Sequence, residues 1–337
     1  MQSNKMAAFE LYRALAVLMV VLGHFSSSSE DLPTTVKTII TSIAHFGVPL
    51  FFIISGFLIT LSYVKKENIR IFLRHRIIRI YPAFSINLLF ITLIIGPLVS
   101  VNIHDFFDNI NYFKLLRSFI NLYIANDALN IFQNIPWPNA VNGSLWTLQF
   151  EIMCYGMIGF LGLFGFLKPR IILFLFVVFY CFYIAIEYFG YQGFHIILNG
   201  MFNSTPRLFV YFLIGSIFYF YNDKLFFNWI TIMLSLILLI VTNELLILKS
   251  YLVFFWAYIG FYFIFNKKIK LHNFSKYGDF SYGMYIYAFP IQQAIMYLFR
   301  DYNIDFVIFT FLSFVITLIL SILSWKLIES PTLTKYK

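Results

Sequence analysis

Charge is what this 337-residue chain has least of: 12% of its residues are charged, against about 25% in an average soluble domain. That shortage leaves no stretch polar enough to cover a soluble domain of any size. Cysteine is scarce as well. The chain has two, and since Cys154 and Cys181 both fall in apolar runs, neither a disulfide framework nor a metal cluster is expected. Internal repeats, a Gly-rich phosphate loop and a linker before a second domain are missing too. A signal peptide fits poorly: Lys5, an apolar core and the Ser26–Ser29 run imitate one, but Glu10 and Arg13 interrupt the core. Asn142-Gly-Ser and Asn203-Ser-Thr fit the glycosylation pattern, which is too short to carry weight.

What the chain does have is apolar surface. Hydrophobic residues make up 61% of it and aromatic residues 21%, with a mean hydropathy of +0.81. Apolar runs of about 20 residues predict an all-α integral membrane bundle of about ten transmembrane helices. They fall roughly at 7–25, 46–64, 82–101, 145–167, 171–189, 206–221, 226–243, 250–266, 281–299 and 304–326. The whole of 1–337 then reads as one transmembrane domain with no extra soluble domain. Phe113–Ala125, short and interrupted by Lys114 and Arg117, is expected to lie at the interface; were it to span, the topology would invert halfway. Placing both termini inside puts seventeen basic residues on inner segments and six on outer ones. The positive-inside rule therefore favours N-in, C-in. The net charge of +9 is mostly topology on this reading, and no nucleic-acid partner is needed. Rich Ile, Asn, Lys and Phe usage hints at a bacterial gene, and the chain is expected in a bacterial inner or plasma membrane.

Against this background a few polar residues stand out. Glu10-Leu-Tyr-Arg13 and His24 lie in the first apolar run, and the eleven residues from Arg13 to His24 place both side chains on one helix face, about 16 Å apart. Ionisable groups at membrane depth usually line a cavity or a reaction path; the plainer reading is that Glu10 and Arg13 sit at the interface, Arg13 snorkels and His24 caps the outer end. Arg76 and Arg79 share a face of the inner loop Phe72–Pro82, a basic amphipathic stretch that the proline is expected to end, with a spacing suited to a phosphate clamp, although a positive-inside loop explains the charge equally well. Glu151 lies about 10 Å into a helix that starts near Ser144 and Trp146, so it needs a partner, for which His24 or Arg13 would serve. Ser55-Gly56 is small enough for close helix packing. Pro290, after Tyr285 and Tyr287, frees backbone groups that a substrate or water could use.

Taken together and in order, these residues resemble the acyltransferase 3 family of polytopic membrane acyltransferases. Glu10-Leu-Tyr-Arg13 with His24 resembles its acidic-x-x-Arg opening and Arg-x10-His motif. Phe51-Phe-Ile-Ile-Ser55-Gly56-Phe is similar to its FFxxSGF segment, and Arg76-Ile-Ile-Arg79-Ile-Tyr-Pro82 to its RxxR-I-Y-P loop. Trp146 through Glu151 to Tyr155 and the closing Ile328-Glu329-Ser-Pro331 complete the set. One departure stands out: many members carry a histidine in the late span where this chain has Tyr285-Ile-Tyr287, which leaves His45 as a possible helper.

The resemblance implies transfer of an acyl group, most often acetyl, from cytoplasmic acyl-CoA to a hydroxyl of a surface or lipid-linked polysaccharide. His24 would be the general base and Glu151 its support, acting directly or through an acyl-histidine; Arg13, Arg76 and Arg79 would hold acetyl-CoA. Glu10, His45, Ser55, Trp146 and Tyr285 would support the site, and no metal is needed because a thioester is already activated. A flippase for a polyprenol-linked glycan is the competing reading. It predicts broken helices and repeat symmetry, and the sequence has neither.

Overall fold

A backbone that finds no water in a bilayer must satisfy its own hydrogen bonds, as a helix or a closed barrel. The computed structural model describes residues 3–28, 32–133, 135–189, 205–222, 229–231, 233–234, 237, 252–265, 278–302 and 304–335; among these the regular structure is helical, with no strand. The principal helices are α1 (Ser3–Ser28), α2 (Thr34–Ala44), α3 (Gly47–Lys66), α4 (Ile69–Phe90), α5 (Ile103–Asp108), α6 (Tyr112–Asn121), α7 (Trp146–Leu163), α8 (Pro169–Phe189), α9 (Thr205–Tyr221), α10 (Leu252–Phe265), α11 (Ser281–Leu298) and α12 (Phe306–Ser324).

Ala7–Ser26, Thr34–Lys66, Ile69–Leu98, Pro169–Glu187 and Phe306–Lys335 are long and apolar enough to cross a membrane. Pro169–Glu187 and Phe306–Lys335 have mean hydropathies of 2.3 and 2.8, yet only 17% and 22% of their residues are buried by protein. Such surface needs lipid as its solvent, and the chain is a membrane protein. Helices α7, α9, α10 and α11 stand where further spans are expected, at 14 to 18 residues each. The expected span at 226–243 lies mostly outside the described residues.

One expectation needs correcting. Pro82 does not end the basic stretch: α4 runs from Ile69 through the arginines and Pro82 to Phe90, then through a π-turn at Ile91–Ile95 to Leu98. Proline removes one hydrogen bond, whereas unwinding in an apolar setting would expose several, so the helix persists.

The chain packs as two compact units. The first comprises Met1–Ala16, Val48–Leu73 and Phe150–Tyr277, and the second Val17–Gly47, Arg74–Gln149 and Gly278–Lys337. In the first, α3 and α9 cross closely because Gly56 lies against the Phe212 backbone and Gly215 against that of Ile53, where any Cβ would collide. The Thr60 and Ser216 hydroxyls join at this crossing (2.9 Å), and Thr60 donates to the Gly56 carbonyl (2.7 Å). Phe9, Phe57, Phe218 and Phe261 form the adjoining aromatic core, with Phe218 stacked on Phe261 at 4.4 Å.

In the second unit, α6 is too short to span, and its chain turns back. Leu122 takes a left-handed conformation (φ 54°) just after α6, and the Asn111 amide then donates to Ala128 O at 3.0 Å. Both ends of this hairpin meet, so it leaves the parity of the spans unchanged. Its outer face of Phe113, Leu116 and Ile120 is exposed, and Phe119 rests edge-on against Tyr81 of α4.

Candidate active site

His24 belongs to the second unit, near the C-terminal end of α1. The imidazole is half-buried and walled by two rings, Phe289 of α11 edge-on at 5.0 Å and Trp137 at 6.2 Å. Gln292 binds α1 one turn away through Val21 O at 3.4 Å, while the Gln293 amide donates to Trp137 O and Ala140 O at 2.8 Å each. The two glutamines thus fasten α11 to α1 and fix the loop that carries Trp137. The imidazole thus meets two aromatic rings, one of them, Trp137, itself partly exposed. His45 is the exposed cap of α2. Gly23 lies against Ala44, so the residues preceding the two histidines touch.

Pro290 has a different consequence from the one expected. The carbonyl it leaves without a helical partner is that of Ile286, and two buried amides take it up: Asn142 donates at 2.8 Å and Asn87 at 3.1 Å. Asn142, inside a glycosylation-like triplet, is 2% exposed and serves the fold. Tyr285 is bound at the head of α7, donating to Ser144 O and paired with the Thr147 hydroxyl. Trp146 is the first residue of that helix and half-buried.

Midway along α4, Arg79 places its guanidinium between two carboxylates, Asp279 at 2.7 Å and Glu329 at 3.1 Å. Tyr282 and Trp325 face it at 5.8 and 5.7 Å. Glu329, 2% exposed, sits in a π-turn at Trp325–Glu329 and also accepts from Ser324 at 3.0 Å. Gly278 (φ +117°) abuts the Trp325 indole, where no side chain would fit. Arg79 was expected at a phosphate; its fork is given to two acids, and it ties α4, α11 and the end of α12 together. Arg76, one turn earlier on α4, is half-buried.

The remaining expected residues lie in the first unit. Arg13 sits over the Phe51 ring at 5.8 Å, and Glu10 is half-buried one turn before it on α1. Ser55 is 5% exposed beside the α3–α9 crossing. Glu151 is 6% exposed and accepts from Tyr155 one turn along α7. Sequence reasoning gave no site role to Asn87, Asn142, Trp137, Gln292, Gln293 or Asp279. The adjacent glutamines inside an apolar span were the available signal, since two amides at that depth must be bonded.

His24 therefore lies on a helix long and apolar enough to cross a membrane, among aromatic rings and amide-bound backbone. The acyltransferase domain of the acyltransferase 3 family matches residues 6–326, and the chain belongs to that family. It is a membrane acyltransferase. It is similar to an O-acetyl transferase of Shigella phage Sf6, 26% identical over 98% of this chain and 97% of that protein. A shorter likeness, 28% identical over 34% of this chain and 26% of the relative, is to nodulation protein 10 of Rhizobium leguminosarum bv. viciae. No solved structure matches.

Proposed function

We propose that this chain transfers an acetyl group from cytoplasmic acetyl-CoA to a hydroxyl of a cell-surface or lipid-linked polysaccharide, as an integral protein of a bacterial plasma membrane. The observation that carries the reading is His24, set between Phe289 and Trp137, in a chain that aligns over 98% of its length with an O-acetyl transferase. His24 takes the proton of the attacking hydroxyl, the new ester C–O bond forms as the thioester C–S bond breaks, and the proton passes to the departing thiolate. Arg76 meets the donor phosphates and Arg79, locked by Asp279 and Glu329, sets the position of that turn of α4; Arg13 guides the pantetheine arm along α1 toward His24.

Ten spans with both termini inside fit this scheme, since α4 would carry its basic end on the donor side and its Leu98 end on the acceptor side. Purified protein in lipid, incubated with radiolabelled acetyl-CoA and bacterial polysaccharides, should place label in the polysaccharide as an ester. Label that stays in acetyl-CoA or free acetate with every acceptor would overturn the reading.

A further inference from the structure

The second unit contains a cavity of about 560 Å³ beyond the C-terminal end of α4, within the size range of small-ligand sites. Its polar lining includes Asn102, Asp105, Asn130 and Gln133, and its apolar lining includes Phe106 and the Tyr297 ring. Neither lysine nor arginine is among the described residues that line it, which makes this lining a poor receptacle for the phosphates of a nucleotide or a lipid headgroup. Amides and a carboxylate beside aromatic rings are suited to hydroxyl groups: the amides donate and accept, the carboxylate accepts, and the rings cover apolar C–H faces.

The cavity wall continues toward His24. Residues 129–133 line the cavity and Trp137, a few residues on, contacts the His24 ring. Asn139 N donates to Phe132 O at 2.9 Å, which ties the cavity-lining Phe132 to the backbone just after Trp137. Phe132, 1% exposed, holds φ +66° and contacts the Tyr297 ring at 6.4 Å. A bulky residue in that conformation is strained and persists only where its surroundings impose it. Asp105 and Gln133 are exposed at the rim. From Arg79 to Leu98, α4 rises about 29 Å, the thickness of a bilayer core, so the cavity lies at the membrane face opposite the basic one.

Resting on the reading given under Proposed function, we infer that this cavity is the acceptor subsite: it binds an uncharged, hydroxyl-bearing oligosaccharide and delivers one of its hydroxyls past Trp137 to His24. The test is donor-free glycan binding by the full chain in lipid nanodiscs, on an array of bacterial surface polysaccharides that also carries maltotetraose and chitotetraose, with dissociation constants measured for the glycans retained. Asp105→Ala and Gln133→Ala should each weaken binding by about tenfold without lowering the melting temperature, whereas Lys65→Ala should bind as wild type does. Undiminished binding by both cavity variants, or no glycan retained by the wild type, overturns the inference. Because no acyl donor is present, glycan bound through the cavity by a protein that transfers no acetyl would refute the acyl-transfer reading and leave the subsite standing.

Discussion

Phe289 and Trp137 pack against each other as well as against the His24 imidazole, so on the proposed mechanism His24→Ala removes the base and leaves the packing of those two rings largely in place. Transfer should fall by about 10²–10⁴ with little change in melting temperature; activity within a factor of two of wild type would remove His24 from the mechanism. Arg79 is the opposite case. Arg79→Ala strands the buried Glu329 and should destabilise the protein by about 3 kcal/mol, read as a lower midpoint of unfolding. Arg76→Ala should instead raise KM for acetyl-CoA while KM for the glycan and the melting temperature hold. Equal losses of stability in the two variants would contradict this division of labour. His24, Arg13 and Glu151 stand out in the sequence because an ionisable group in an apolar run is conspicuous, and Arg76 and Arg79 because of their spacing in a basic stretch. Asn87, Asn142 and Trp137 could not, because an amide or an indole gains meaning only from the partner it meets, in these cases more than a hundred residues away.

Among the elements, α11 shows how a helix break is repaired from outside. Asn142→Ala should cost about 1–2 kcal/mol by leaving the Ile286 carbonyl under-bonded. In a Pro290→Ala background residue 290 regains its own N–H for that carbonyl, so the same change should cost markedly less. Additive losses in this double-mutant cycle would show that Asn142 acts elsewhere. At the α3–α9 crossing, Gly215→Val drives a side chain into the Ile53 backbone and should destabilise by about 1–3 kcal/mol or more; wild-type stability would mean the two helices can separate freely. Helix positions followed from apolar runs alone, which is why α1, α3, α8 and α12 lie close to where the sequence puts them. The path of α4 through Pro82 did not follow, because proline's local penalty is readable in sequence and the apolar surroundings that override it are not. The returned hairpin of α6 escaped for a related reason: Asn111 and Ala128 are joined by backbone atoms, which carry no sequence signal.

For the whole molecule, the central claim is that one membrane-embedded site takes its donor from the basic face and its acceptor from the other. His24 and Arg13 share α1, and about 16 Å of helix separates them, a span that an extended phosphopantetheine arm matches in order of magnitude. The decisive measurement uses sealed proteoliposomes of known orientation, with labelled acetyl-CoA only on the side bearing Lys65–Arg79 and glycan only on the opposite side. Label should appear in the glycan with the wild type and be lost with His24→Ala. Transfer that requires donor and acceptor on the same side, or that proceeds equally well without His24, would contradict the account.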